Sequence, residues 1–179
     1  MGWRSPDRRP FFMSNVAVIL GLILGLGLPL SAQPFAARVS AIREVGGVLS
    51  FEIPSLRLKP SLLSAAPGTR LYVVTVAVGE EGIETEARRF VLMTSRGSRA
   101  PIGAGPSAEE IIPFDRIPDH QEVGVVLPSD TIFALTRRSA RVVLEVGPRE
   151  QVSFLYELPA AASVRALRLP DGRALTITP

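Results

Sequence analysis

The run Leu71-Tyr72-Val73-Val74-Thr75-Val76-Ala77-Val78 decides how the rest of this chain is read. It holds eight residues with no charge, and four of them are valine. Branching at Cβ narrows the side-chain rotamers and suits them to a pleated strand. An amphipathic helix would show polar residues every three or four positions, and a half-buried strand would alternate. This run does neither. It therefore predicts a strand covered on both faces, in the interior of a sheet. Pro67-Gly68 marks the turn before it, and Gly79-Glu80-Glu81-Gly82 the break after it.

Shorter strands follow on both sides. Leu49, Phe51 and Ile53 alternate with Ser50 and Glu52, and Pro54 implies an edge or a bulge there. Residues 89–94 read as a strand, with Ser95-Arg96-Gly97-Ser98 as a hairpin turn into residues 100–102. Residues 103–118 read as loop. Within them Ser107 and Glu110 have the spacing of a capping box, but Pro113 limits any helix to about one turn. Residues 122–126, 131–136, 141–145, 151–158, 164–169 and 174–178 read as further strands. Asp171-Gly172 between the last two supplies the positive φ of a tight hairpin. No helix of ordinary length is expected. The pattern implies an all-β chain, a sandwich of about seven to nine short strands separated by proline- and glycine-rich turns.

The N-terminus reads differently. Arg4, Arg8 and Arg9 precede an uncharged apolar stretch over residues 16–30, and Leu30-Ser31-Ala32 offers small residues after Pro29. That is the layout of a secretory signal peptide cleaved after Ala32. Arg8-Arg9-Pro10-Phe11-Phe12 also has the form of a twin-arginine export signal, with Asp7 where Ser or Thr is usual. A start at Met13 would delete the pair. The rival is an uncleaved anchor in which residues 11–32 span a bilayer, the only membrane contact expected. The chain thus divides into residues 1–32 as signal or anchor, 33–48 as a leading segment, and 49–179 as the β domain.

Of the 179 residues, 147 lie beyond Ala32, which suits one domain. There is no cysteine, so neither disulfides nor thiolate metal sites arise. The isoelectric point of about 10.1 does not indicate a nucleic-acid binder. With Arg4, Arg8, Arg9 and Asp7 set aside, 17 basic and 16 acidic residues remain, interspersed rather than gathered into a stripe.

The three segments PGTRLYVVTVAV (67–78), RRFVLMTSRGSRAPIG (88–103) and VGPREQVSFLYELP (146–159) resemble a set of exported bacterial immunoglobulin-like domains of unknown function. These belong to the superfamily of the immunoprotective extracellular antigens, often carried on lipoproteins. The similarity runs over residues 67–178. Gly79 stands where the family has Asn, and no lipobox cysteine is present, so lipid anchoring does not carry over. The resemblance implies an immunoglobulin-like fold and a periplasmic, cell-envelope or extracellular location. It implies no catalytic residue.

Chemistry-bearing clusters are sparse. Asp115, Asp119, His120 and Glu122 are the candidate metal ligands, and His120 is the single histidine. Pro118 argues that they sit on an ordinary solvated loop. Glu80, Glu81, Glu84 and Glu86 crowd one turn beside Arg88 and Arg89, which reads as a solvated hairpin tip. Gly103-Ala104-Gly105-Pro106-Ser107-Ala108 echoes a dinucleotide fingerprint, but Pro106 and Pro113 deny the helix that fingerprint needs. No G-x-S-x-G elbow is present, and no serine pairs with His120. Arg137, Arg138 and Arg141 flank an apolar strand, a combination common at interfaces. The sequence therefore implies an exported, non-catalytic binding or assembly module of the cell envelope, without cofactor, whose partner is an envelope protein. The alternative is an extracytoplasmic domain binding a small ligand or a divalent metal.

Overall fold

The apolar run lies in strand β4 (Thr69–Val78), hydrogen-bonded on both sides, to β1 (Ala37–Gly46) and β13 (Gln151–Pro159). The computed structural model describes residues 36–46, 48–53 and 58–177. All of them belong to one compact unit. The signal or anchor segment, with Arg8, Arg9 and Ala32, lies outside the described residues, as does Pro54.

The described residues are all-β. Among them four antiparallel sheets hold fifteen strands, and the only helical elements are two three-residue 3-10 turns, Ala87–Arg89 and Phe114–Arg116. The largest sheet has the order β1-β4-β13-β8-β9, with β8 at Gly103–Gly105 and β9 at Ile112–Pro113. A second has the order β10-β11-β12-β5: β10 (Glu122–Val126), β11 (Ile132–Arg138), β12 (Arg141–Val146) and β5 (Ile83–Glu86). A third has the order β15-β14-β6-β7: β15 (Ala174–Thr176), β14 (Val164–Arg168), β6 (Val91–Thr94) and β7 (Gly97–Arg99). The hairpin of β2 (Val48–Ile53) and β3 (Leu58–Ser64) makes the fourth.

Alternation along β4 sends Tyr72, Val74, Val76 and Val78 to one face and Leu71, Val73, Thr75 and Ala77 to the other. On the first face Val74, Val76, Val152, Phe154 and Tyr156 enter a core shared with Phe133, Leu135 and Leu144 of the second sheet and Leu92 and Leu167 of the third. Phe90 and Phe154 stack with ring centroids 4.3 Å apart. Tyr156, fully buried, donates its hydroxyl to the Phe90 carbonyl at 3.0 Å, which satisfies the one polar atom it carries inward. Burial drives its phenol pKa far up, so it stays a donor.

The second face is also covered. Leu71, Val73 and Leu155 pack under Ile111, with Val45, Leu63, Ile102 and Ala108 around them. Thr75 and Ser153, paired in register and buried here, bond each other through their hydroxyls at 2.9 Å. Both faces of the run from Leu71 to Val78 are therefore covered, with only Tyr72 and Ala77 half-buried, as its composition predicts.

Several regions differ from the sequence reading: β3 is a strand it did not show, and Ile83–Glu86 pairs with β12 where Glu84 and Glu86 read as part of one turn. The leading segment contains β1, whose bulges between Val39 and Ala41 and between Glu44 and Gly46 break the alternation that would have revealed it. Residues 103–118 are not all loop, because Gly103–Gly105 pairs with β13 and with β9. These glycines are required by proximity. A Cβ at Gly103 would sit 2.9 Å from the Ile112 carbonyl oxygen, and one at Gly105 would run into the Glu110 carbonyl. Ser107 does bond Glu110, at 3.2 Å, but between side chains in a bend with no helix to cap. Finally, the strand opposite β6 is Gly97–Arg99, three residues earlier than residues 100–102, because the turn closes on Ser95 and Arg96 alone.

The two kinds of glycine separate in a stability test. Gly105→Ala forces a side chain into backbone and should lower unfolding free energy by about 3 kcal/mol. At Gly124 on β10 the nearest atom to an added Cβ is 3.5 Å away, an ordinary contact. Gly124→Ala should therefore stay within about 0.5 kcal/mol of the parent in urea melts.

Candidate functional site

Among the described residues strand β10 ends its sheet, with β11 as its one strand neighbour. The pairing runs without a bulge, from Glu122 opposite Thr136 to Val126 opposite Ile132. Which backbone groups are used follows from two hydrogen bonds that flank it. Arg137 N–H donates to the Gln121 carbonyl at 3.0 Å, and Leu127 N–H donates to the Thr131 carbonyl at 2.9 Å. Bonded positions in an antiparallel pair recur every second residue. Residues 121, 123, 125 and 127 therefore face β11 with their amides and carbonyls. Those of Glu122, Gly124 and Val126 face away from the sheet.

The side chains there are apolar and uncovered. Val125 is 38% exposed, Val126 70%, and its cross-strand partner Ile132 49%. Val123, by contrast, is buried in the core and anchors the strand. The connecting turn is held firmly. Glu150 accepts hydrogen bonds from Ser129 and, at 2.6 Å, from Thr131, and Asp130 N–H donates to the Leu127 carbonyl at 2.9 Å. Those hydroxyls, Ser129 first, hold the Glu150 carboxyl below its ordinary range. A rigid turn thus presents an apolar edge.

The four metal candidates surround the start of this strand but do not converge. Asp119 sits in a turn with His120, which takes a positive φ of 59°. Its Oδ1 accepts the amides of Ser139 at 2.6 Å and His120 at 3.0 Å, and His120 Nε2 lies 3.6 Å from its Oδ2. Glu122 accepts from Thr136 at 3.3 Å, and Asp115 lies 3.9 Å from Arg116. Among the described residues no three His, Asp or Glu side chains come together to hold a metal. Asp119 instead ties residues 118–121 to the far end of β11.

The remaining clusters also disperse. Glu80 pairs with Arg149, Nε to Oε2 at 2.7 Å. Glu84 lies directly opposite Glu145 across β5 and β12 on the solvent face. Arg137 uses its guanidinium on the carbonyls of Ile117 at 2.9 Å and Ser139 at 3.2 Å, a structural role. Among the described residues, grooves of about 550, 520 and 290 Å³ lie partly open to solvent. The first holds Glu81, Glu84, Asp130 and Glu145, the second Arg38, Arg149 and Arg173. Among the described residues no helix is long and apolar enough to cross a membrane. Comparison with protein-family models, curated proteins and solved structures finds no match for this chain.

The sequence reading passed over Val125, Val126 and Ile132. The signal was there: a strand with one face in solvent should have polar residues at 124 and 126, and this one has Gly and Val.

The Asp119 clasp has a pH signature. The Ser139 amide, ahead of the His120 amide, holds its carboxyl below the ordinary value. A carboxyl lowered in the folded state adds stability above its unfolded pKa of about 4, and that stability disappears as pH falls through the folded value. Asp119→Ala should therefore melt below the parent at neutral pH, and the gap should close in acid, read by thermal melts across the pH range. A melting temperature raised by millimolar calcium or zinc would restore the metal reading.

Proposed function

We propose that this chain is an exported, non-catalytic β-sandwich of immunoglobulin-like kind that binds or assembles with protein at the bacterial cell envelope. One observation carries the reading: the regular, apolar and uncovered edge of β10, backed by Val126 and Ile132. An edge with free backbone donors and acceptors takes an added strand, and the side chains beside it set which strand fits. The leader, read as a signal peptide with Arg8 and Arg9 or as an anchor, supports the location.

A photo-crosslinking amino acid placed at Val126 in the producing cell tests this, with a second probe at exposed Arg89 as control. The expected result is an adduct of defined mass from Val126, found in the envelope fraction, with none from Arg89. Equal smears from both positions, or a protein that stays in the cytosol with its leader intact, would sink the proposal.

A further inference from the structure

We propose that the strand received by β10 is the β10 of a second copy of this chain, paired antiparallel about a two-fold axis through Gly124. This deepens the reading above and rests on it.

The other sheet ends are blunted. β1 carries two bulges, and β9 has two residues, one of them Pro113. β5 presents Glu84 and Glu86, β7 and β15 have three residues each, and the hairpin carries Pro60 and a bulge at Phe51. Such features keep strands from adding. β10 has none of them over its five residues, and its one charge stands at its first position.

The register selects itself. The outward amides and carbonyls belong to Glu122, Gly124 and Val126, so only a pairing that sets these positions against one another makes hydrogen bonds. Centred on Glu122, it would put two carboxylates face to face and set Gly124 against His120, whose amide is already given to the Arg137 carbonyl at 3.0 Å. Centred on Val126, it would set Gly124 against Pro128, which has no N–H. Centred on Gly124, Glu122 meets Val126 of the second copy at each end, and Gly124 meets Gly124. Each of the three pairs can exchange two hydrogen bonds, and no like charges are opposed. Val125 comes opposite Val123 of the second copy and loses water from its exposed side. The contact is isologous, so it closes at two copies.

The chain lacks cysteine, which makes the register testable by single replacements. Opposed Gly124 positions would have Cα atoms about 5.5 Å apart, within disulfide reach. The two Val126 positions would be about 13 Å apart. In protein as isolated from its producing cells, mild oxidation should link Gly124→Cys into a covalent dimer and leave Val126→Cys unlinked. Sedimentation should show a concentration-dependent dimer, with Val126→Lys raising its dissociation constant about tenfold or more. A monomer throughout, or a dimer that ignores Val126→Lys while Gly124→Cys stays unlinked, overturns the self-pairing. If the monomer's Val126 probe still captures another polypeptide in cells, the self-pairing falls and the wider reading stands. A monomer without an adduct sinks both.

Discussion

A strand that is apolar on both faces must be covered twice, and that requirement on β4 organises this molecule. The first cover is the pair of four-stranded sheets that share its core through Phe133, Leu144, Leu92 and Leu167. The second is assembled from pieces: Ile111, Ala108 and Ile102 from the segment after β7, Leu63 from β3 and Val45 from β1. Backbone groups add a demand of their own, since a buried strand must bond neighbours on both edges. β1 and β13 meet it, and β8 and β9 beyond β13 complete the largest sheet. Even the hydroxyl pair Thr75–Ser153 follows from this geometry. Two small polar side chains in register on a dry face satisfy each other where either alone would be costly.

Much of this was legible in the sequence because it depends on local composition. The valine-rich run, the turn glycines at 68 and 172, and the strands from Glu122 onward are written in short-range pattern. β10 appears at its exact bounds, and β12 and β13 each run one residue longer than read. What stayed hidden depends on distant partners. β1 shifts phase twice, so no window shows its period. β8 is Gly-Ala-Gly, a composition that reads as loop until Glu110 and Ile112 are seen pressing on it. Among the described residues there are fifteen strands rather than seven to nine; β1 and β3 account for two of the extra ones and pieces two to four residues long for the rest.

The candidate site was harder to see, for a different reason. Sequence reading favours residues that carry chemistry, and it singled out Asp115, Asp119, His120 and Glu122. Folding spends Asp119 on two amides, Glu122 on a threonine and Asp115 beside an arginine. What remains uncommitted is backbone and hydrocarbon: the outward amides of β10 and the side chains of Val125, Val126 and Ile132. Neither titrates or stands out in composition. Their meaning comes from the strand's place at the end of its sheet, which only the topology gives.

The pairing of β4 with β13 joins residue 69 to residue 159. This largely buried strand is thus made early by the ribosome, while one of its two hydrogen-bonding neighbours arrives about eighty residues later. Contacts of such long span are slow to form, because the intervening chain must first be gathered in. Through that interval the run from Leu71 to Val78 is a sticky, uncharged segment without its cover. The glutamates at 80, 81, 84 and 86 and the arginines at 88 and 89 follow it directly, and charge beside an aggregation-prone stretch is what keeps a growing chain in solution. In the folded protein these glutamates are spread over a turn and strand β5, with Glu80 paired to Arg149; beside the unfinished chain they stand as one charged block.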